Sequence, residues 1–199
     1  MGIFRFIIQS YQRSARVDGN DSKARFASVV LPHLADAFTL ARWLSGSRAD
    51  AEDITQEACL RAFRAIETFR GEQARAWVLT IVRNTAHSWL AKNRNFKLVS
   101  VDDLHAEDRT EMELGGSLGE AAAMTPESKL IAQVDAADLE TAIADLPDVF
   151  REVVVLRDIQ GLSYQEIGMV AGVAIGTVMS RLSRGRRRVL ERLGRGQDG

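Results

Sequence analysis

The stretch Ser163–Arg192, SYQEIGMVAGVAIGTVMSRLSRGRRRVLER, decides the fold of the C-terminal part of the chain. Ser163 and Glu166 have the spacing of a capping box, in which each side chain satisfies a backbone amide of the other residue at a helix start. Ala171-Gly172-Val173 provides a tight turn, and a second helix is predicted from about residue 174. Its inward side consists of apolar residues at helical spacing: Val178, Leu182 and Val189. Two helices joined by a three-residue glycine turn are typical of the helix-turn-helix of DNA-binding proteins.

The second of these helices is strongly basic. Residues 176–196 contain seven arginines and one glutamate, which gives this segment a local charge of +6. A charge run is most often a solvated helix face. Because this run follows the turn of a helix-turn-helix, we expect the start of the helix to face base edges and the later arginines to contact phosphates. The C-terminal part of the chain is therefore predicted to bind DNA.

Helical periodicity also dominates upstream, and no run of alternating β-branched residues predicts a strand. Residues 22–45 are predicted to form one helix or two that end at Gly46, and residues 50–67 form the next. A third helix is predicted over residues 73–93. Thr125-Pro126 and Pro147 are typical helix starts; the helix after Pro147 is predicted to cover residues 148–159. The pattern predicts an all-α fold.

The charges are distributed unevenly along the 199 residues, although the formal net charge is only −1. Residues 1–97 have 15 Lys and Arg against 9 Asp and Glu (+6), residues 98–148 have 2 against 13 (−11), and residues 149–199 have 9 against 5 (+4). Residues 98–124 combine acidic side chains with glycines and lack an apolar stripe, which is typical of a flexible linker. We therefore predict two small helical domains joined by an acidic linker.

Composition excludes several classes of protein. Apolar residues make up 46% of the chain, which is too many for a wholly disordered protein. The single cysteine, Cys59, excludes a disulfide framework and fits a reducing compartment. The apolar start of the chain is interrupted by Arg5 and is too short for a signal-peptide core or a membrane span. We predict a cytoplasmic protein without membrane insertion.

The helix over residues 73–93 is a candidate surface for single-stranded nucleic acid. Arg83, Asn84, His87 and Arg94 lie on or near one face, and the stretch also carries Lys92 and two tryptophans, Trp77 and Trp89. Basic and amide side chains beside aromatic rings suit a single strand, because splayed bases stack on the rings. The alternative is that both tryptophans are ordinary core residues.

The helix over residues 50–67 begins with an acidic patch. Asp50, Asp53 and Glu57 share one helix face. Such carboxylates suit the positive end of the helix dipole, could hold a divalent metal, or could dock on another protein. At this stage all three interpretations stay open.

Signatures of catalysis are missing from the sequence. The three histidines and Cys59 do not have the spacing of metal ligands, and no phosphate-binding glycine loop, nucleophile elbow or dinucleotide fingerprint occurs. We predict that the protein is not an enzyme and uses no cofactor, metal or small-molecule substrate.

Several stretches resemble conserved regions of bacterial RNA polymerase sigma factors of the extracytoplasmic-function type, group IV of the sigma-70 family. Residues 49–63, ADAEDITQEACLRAF, resemble the second conserved region. Residues 69–71, FRG, and 76–86, AWVLTIVRNTA, resemble the melting and minus-ten regions that follow. Residues 146–156, 161–167 (GLSYQEI) and 176–182 (GTVMSRL) resemble the fourth domain. The match covers about residues 22–94 and 126–193, in the family's order and spacing.

The resemblance implies two functional domains. A region 2 domain for core polymerase and the minus-ten element covers residues 22–97, and a region 4 helix-turn-helix domain for the minus-thirty-five element covers residues 125–195. A leader (1–21) precedes them, an acidic linker (98–124) joins them, and a tail (196–199) follows. Such a protein directs core polymerase to promoters and initiates DNA melting. Its implied partners are the clamp-bearing and flap subunits of core polymerase, promoter DNA, and an anti-sigma factor that covers both polymerase-binding domains. Whether the linker threads a polymerase channel or is only a tether stays open.

The resemblance also implies which residues do this work. Docking on the coiled coil of the clamp-bearing subunit falls on Asp53, Gln56 and Glu57, which displaces the metal interpretation. Capture of the non-template strand at the minus-ten element falls on Trp77, Arg83, Asn84, Thr85, His87, Lys92 and Arg94. Reading the minus-thirty-five duplex and holding its phosphates falls on Thr177, Met179, Ser180, Arg181, Ser183, Arg184, Arg187 and Arg188, with Thr177 and Arg181 expected to hold phosphates or to pack.

One position departs from the family's pattern, and one rival function remains. Relatives often carry arginine where this chain has Met179, and a thioether cannot donate the paired hydrogen bonds that read guanine. Base reading there is expected to shift to Arg184 or to apolar contact with a thymine methyl. The rival is a conventional regulator that binds an operator through its helix-turn-helix without being a polymerase subunit.

Overall fold

Every regular element that the computed structural model describes, in residues 20–71, 73–93 and 136–197, is a helix. The first part of the chain forms α1 (Asn20–Val29), α2 (Leu34–Ser45), α3 (Arg48–Ala65) and α4 (Ala74–Asn93), with short 3-10 helices at Leu31–His33 and Ile66–Thr68. The second part forms α5 (Ala136–Ala144), α6 (Asp148–Val154), α7 (Tyr164–Ala171) and α8 (Ile175–Gln197), and the π-helix Val155–Ile159 extends α6. The predicted all-α fold is confirmed.

Three predicted features lie outside the described residues: the body of the leader, the acidic linker over residues 98–124 and the helix start at Thr125-Pro126. The minus-ten candidate Arg94 also lies outside them.

Local sequence signals place the helix ends. Pro32 lies in the 3-10 turn that divides residues 22–45 into two helices, because proline offers no amide hydrogen to an α-helix interior. Gly46 ends α2 with a φ of 66°, a left-handed conformation that glycine adopts without steric cost. Ser47 then caps α3, its hydroxyl accepting a hydrogen bond of 3.3 Å from the amide of Asp50.

The N-terminal domain is built on α2, α3 and α4, which pack on one another. Leu40, Ile54 and Leu79, one from each of these helices, are fully buried at its centre. Helix α1 adds Phe26, whose ring meets that of Phe63 on α3 edge to face, with 5.5 Å between the ring centres. Burial raises the pKa of the Cys59 thiol to about 12, so this cysteine is an unreactive core residue.

The C-terminal domain is a helix-turn-helix supported by α6. Ser163 and Glu166 form the predicted capping box at the start of α7, and Gly172 ends α7 with a φ of 68°. Helix α8 crosses α6 closely at Gly185, where a Cβ atom would lie 2.8 Å from Cγ2 of Val154. Only glycine allows this approach without a shift of the backbone or of the valine.

The two domains pack against each other, an arrangement that the sequence pattern does not predict. Helix α4 lies on α7, and α2 lies on α6 and its π-helical extension. The buried apolar residues of both domains therefore form one continuous cluster. As a consequence, the helix predicted to capture the minus-ten strand lies against the first helix of the helix-turn-helix.

Candidate nucleic-acid interface

The acidic helix face of the N-terminal domain is available to a partner. Asp53 is exposed on α3, and Gln56 and Glu57 are half-buried. Leu60, one turn further along this face, is an exposed large apolar residue. Glu57 accepts a hydrogen bond of 2.8 Å from Arg61, an exposed i,i+4 pair of the kind that contributes little to stability. An apolar side chain bordered by carboxylates is typical of a protein-docking surface.

Helix α4 presents its predicted strand-binding residues unequally. Asn84 and Lys92 are exposed, whereas Arg83 and His87 are half-buried. The Oδ1 atom of Asn84 accepts a hydrogen bond of 3.5 Å from Arg83. Asn84 is thus the accessible centre of this predicted surface.

Two members of the predicted minus-ten set make contacts within their own domain. Thr85 is buried, and its hydroxyl donates a hydrogen bond of 2.7 Å to the carbonyl oxygen of Ile81, one turn earlier on the same helix. Trp77 is half-buried against Phe69, with 4.9 Å between the ring centres. In this arrangement Thr85 is covered, whereas Trp77 keeps an exposed part. The strand contact that the resemblance implies for both residues stays a prediction.

A buried carboxylate of the C-terminal domain holds the predicted strand-binding residues. Glu152 on α6 is only 1% exposed, and its Oε1 atom accepts a hydrogen bond from Nε of Arg83 on α4. Its second oxygen, Oε2, lies 4.0 Å from Nε2 of His87. Here we call the group Arg83, His87, Glu152 and Arg181 the seam cluster, because it lies where the two domains meet.

The seam cluster also includes a residue predicted to bind the minus-thirty-five element. Arg181 on α8 is only 8% exposed. Burial lowers the pKa of its guanidinium, and the nearby carboxylate of Glu152 opposes this effect. The sequence left two roles open for Arg181, phosphate contact or packing. In this arrangement its side chain is packed inside the protein.

His87 lies at this seam beside Glu152 and Arg83. Burial lowers the pKa of its imidazole below the ordinary value of 6.5, and the charge of Arg83 lowers it further, while Glu152 and Asp148 act in the opposite direction. Both ring nitrogens are buried and have no hydrogen-bond partner among the described residues. We call the arrangement in which the two domains pack together the closed form or closed arrangement. It leaves His87 with unsatisfied polar atoms, which costs free energy.

A second polar contact joins the domains. Arg75 on α4 donates a hydrogen bond of 2.7 Å to the carboxylate of Asp36 on α2 and one of 2.6 Å to the carbonyl oxygen of Gln160. The Nε2 atom of Gln160, which follows the π-helix, donates a hydrogen bond of 2.7 Å to the carbonyl oxygen of Asp36. This closed set of three bonds fixes the register of the two domains.

The start of the recognition helix α8 is accessible. Met179, Ser180 and Ser183 are exposed and Thr177 is half-buried, while Val178 and Leu182 point into the core. The hydroxyl of Ser180 donates a hydrogen bond of 3.0 Å to the carbonyl oxygen of Thr177. The face that a helix-turn-helix turns towards the major groove is thus free of neighbouring helices along these two turns.

The later arginines of α8 divide into two groups. Arg186 binds the carboxylate of Asp158, with Nε donating at 3.0 Å, and Arg192 donates to Asp145 at 3.2 Å. These two residues hold α8 to its own domain. In the predicted phosphate-binding set, Arg187 and Arg188 are exposed and Arg184 is half-buried. Arg187 lies 4.0 Å from the carboxylate of Glu191 on the same helix, and Arg188 lies over the ring of Phe150 at 5.1 Å.

Sequence reasoning missed Glu152, Gln160, Leu60 and Ile175. Glu152 and Gln160 form polar contacts between the domains. Leu60 on α3 and Ile175 on α8 are exposed apolar residues. One signal could have pointed to Glu152: together with Arg151 it interrupts the apolar run Val149–Leu156, and a charge that is buried there requires a partner. The other three positions carry no such signal.

Two searches of the described residues returned nothing further. Among them, no group of three or more histidine, cysteine and acidic side chains is arranged to hold a metal ion. Within the same part of the chain, no helix is long and apolar enough to cross a membrane.

Comparison with protein families identifies both domains. Residues 29–96 match the model of sigma-70 region 2, and residues 136–189 match that of sigma-70 region 4. The chain is 34% identical to the ECF RNA polymerase sigma-E factor of Escherichia coli over 173 residues, which cover 86% of this chain and 87% of that protein. It is also 34% identical to the ECF RNA polymerase sigma factor SigE of Mycolicibacterium smegmatis, of which it spans 60% of the length.

Solved structures show the same fold. The sigma factor RpoE of Bartonella quintana, solved in complex with the anti-sigma factor NepR, has a TM-score of 0.61 and 28% identity to this chain; the match covers 85% of this chain and 96% of that one. The structure of CnrH in complex with the cytosolic domain of CnrY has a TM-score of 0.51 at 21% identity. Two family models in the expected order and relatives matched over most of both chains have one explanation: the chain belongs to the extracytoplasmic-function group of the sigma-70 family of RNA polymerase sigma factors.

Proposed function

We propose that this chain is a specificity subunit that directs core RNA polymerase to its promoters and starts the melting of promoter DNA in the cytoplasm. In this role it has no catalytic activity of its own and requires no cofactor. The observation that carries the proposal is the match of both domains to sigma-70 regions 2 and 4. The exposure of Asp53 on α3, Asn84 on α4 and the start of α8 supports it.

Core polymerase would dock on the acidic face of α3. Asp53, Gln56 and Glu57 supply charge and hydrogen-bonding groups, and Leu60 supplies apolar area beside them. A docking surface takes most of its affinity from a small apolar centre, and the charged rim sets orientation and rate of association. Removal of Leu60 should therefore weaken core binding more than removal of Glu57.

Strand capture at the minus-ten element requires the two domains to separate. Arg83 is bound to Glu152, and His87 lies half-buried beside the same carboxylate. The Arg83 and His87 side chains are only 23% and 25% exposed while the domains are packed together, so access for a phosphate or an extruded base is restricted. The closed arrangement therefore corresponds to a form that does not capture the strand, and binding energy from core polymerase and promoter would open it.

The charge distribution supports this order of events. The N-terminal and C-terminal segments are both basic, at +6 for residues 1–97 and +4 for residues 149–199, so their close approach needs a counter-charge. Glu152 supplies it at the seam cluster. In the promoter complex, DNA phosphates would replace this carboxylate as the partner of Arg83.

An anti-sigma factor is the expected inhibitor. The structural relative from Bartonella quintana was solved in complex with an anti-sigma factor. By stabilising the closed arrangement, such a protein would keep Arg83 and Arg181 occupied without touching either residue.

Run-off transcription with core polymerase tests the proposal. Promoter-specific transcripts should appear only when the chain is added, and Asn84→Ala should reduce open-complex formation while core binding is retained. Leu60→Ala should instead reduce core binding, with Ile159→Ala as the matched control, since Ile159 is an equally exposed apolar residue away from α3. Tight binding of the free chain to an operator duplex, without any interaction with core polymerase, would support the regulator instead and contradict the proposal.

A further inference from the structure

Exposed apolar side chains are concentrated on the helix-turn-helix. Of the five large apolar residues that are exposed in the described part of the chain, three lie on its two helices: Met169, Ile175 and Met179. Ile175 begins α8 and is 45% exposed, and Met179, one turn later on the same face, is 41% exposed. About half of each side chain in this pair is therefore left open to a partner.

The fold holds Ile175 in place. A Cβ atom built on Gly168 of α7 would lie 4.0 Å from Cγ1 of Ile175 and 3.0 Å from the carbonyl oxygen of Val173. The isoleucine thus rests on the first helix at a position where a glycine leaves room. A β-branched side chain with so few rotamers, supported from behind, presents a stiff apolar surface.

Cations are excluded from the same face. In the first two turns of α8 the only arginine is Arg181, which is 8% exposed and belongs to the seam cluster. The exposed neighbours of the apolar pair are the hydroxyl-bearing Ser180 and Ser183. Paired hydrogen bonds to the O6 and N7 atoms of guanine, which arginine or lysine makes, are therefore unavailable from these turns.

We infer that Ile175 and Met179 read the minus-thirty-five element by contact with the 5-methyl groups of thymine. This inference rests on the proposed function and extends it to the chemistry of base recognition. The thymine methyl is the apolar group that base pairs present in the major groove. The arginines that follow on α8, Arg184, Arg187 and Arg188, give this end of the domain the positive charge that suits a duplex rather than an apolar protein surface.

The test removes the methyl groups and leaves the base pairs unchanged. Holoenzyme made from the chain and core polymerase first selects promoters from a randomised duplex library. A selected promoter is then rebuilt with deoxyuridine in place of thymidine, one position at a time, in the minus-thirty-five element. Deoxyuridine keeps every hydrogen-bonding group of thymine, so only the methyl contact is lost. We expect holoenzyme affinity to fall about two- to fourfold at each position read by the pair, the amount that burial of one methyl group supplies.

The protein variants complete the design. Ile175→Ala and Met179→Ala should each bind the thymidine promoter more weakly and should each lose sensitivity to deoxyuridine at one position. Ile159→Ala makes the same substitution at an exposed isoleucine outside the helix-turn-helix, and this variant should behave as the wild type. Circular dichroism of each variant checks that the helices are intact.

The possible results separate the inference from the proposed function. If holoenzyme selects no promoter, the proposed function fails. If it selects promoters and transcribes from them but deoxyuridine changes no affinity, or if both α8 variants keep the wild-type sensitivity, the inference alone is overturned. If Ile175→Ala weakens assembly with core polymerase and leaves deoxyuridine sensitivity unchanged, the apolar pair is a protein-docking surface, and the inference is again overturned.

Discussion

Replacement of Glu152 by glutamine should open the two domains. The carboxylate is 1% exposed and is the only acidic member of the seam cluster. Glu152→Gln leaves Arg83 and Arg181 as two neighbouring cations without a counter-charge, while the shape of the side chain is kept. In the open form the guanidinium of Arg83, which lies on the other domain, reaches water, so the substitution acts against the closed form.

The size of the effect follows from the exposure of the partners. Removal of one partner of a fully buried ion pair costs about 3–5 kcal/mol. The Arg83 side chain is 23% exposed, and a glutamine at position 152 still offers it an amide oxygen as a hydrogen-bond acceptor. We therefore expect a loss of about 2 kcal/mol from the closed form, which is roughly a 30-fold shift towards the open form.

Two measurements on the free chain detect this shift. Small-angle scattering should give a larger radius of gyration for Glu152→Gln than for the wild type. A fluorescent single strand that carries a selected minus-ten element should bind the variant more tightly, by up to about 30-fold where the closed form dominates in the wild type. Glu52→Gln, which makes the same charge change on the exposed face of α3, should change neither value.

A charge-neutral variant separates opening from simple removal of a negative charge near DNA. Gln160→Ala breaks the 2.7 Å bond to the carbonyl oxygen of Asp36 and leaves the net charge unchanged, so it should also expand the chain and strengthen strand binding, by a smaller factor. Tighter strand binding by Glu152→Gln at an unchanged radius of gyration would refute the reasoning, because the gain would then come from local charge alone. Wild-type behaviour of both variants would refute it as well.

Two further predictions concern pH and packing. Because the pKa of His87 is lowered in the closed form by burial, against the effect of Glu152 and Asp148, its protonation favours the open form. The closed form therefore keeps its full stability above the ordinary value of 6.5 and loses it as the pH falls below that value, so the radius of gyration should rise between about pH 7.5 and pH 5.5, and His87→Gln should abolish this rise. Gly185→Ala should lower the free energy of unfolding by about 1–3 kcal/mol in urea titrations, because its Cβ would lie 2.8 Å from Cγ2 of Val154.

Each of these has an outcome that contradicts it. A radius of gyration that rises with acidity equally in His87→Gln would assign the titration to another group. For the packing prediction the matched control is Gly194→Ala on the same helix, where a Cβ meets nothing within 4 Å and the substitution should stabilise by up to about 1 kcal/mol. Equal stability of the two alanine variants would show that α6 and α8 are not in close contact.

The elements of this fold could be predicted because their signals are local. The capping box at Ser163 and Glu166, the left-handed glycines Gly46 and Gly172, and the proline that divides the first long helical stretch each act within a few residues. Backbone amides and carbonyl groups at a helix end must be satisfied nearby, so the sequence around the end carries the information.

The packing of the two domains could not be predicted, because helical periodicity shows that a face is buried but not what covers it. Every residue from Glu152 to Leu156, the end of α6 and the start of its π-helical extension, is buried, and such a segment can lie inside its own domain or between two. The same gap explains Thr85. Its motif position pointed to the strand, whereas a hydrogen bond to the carbonyl oxygen of Ile81 and the surrounding helices bury it.

The carboxylate of Glu152 lies next to residues of both predicted promoter-binding sets. Arg83, of the predicted minus-ten surface, donates a hydrogen bond to it from the other domain. Arg181, of the predicted minus-thirty-five set, lies near its charge within the same domain. Separation of the domains therefore removes Arg83 from Glu152 and leaves the carboxylate with Arg181. On the proposed function, a phosphate that binds Arg83 would favour this open form, and Arg181 would then balance the charge of Glu152 within its own domain.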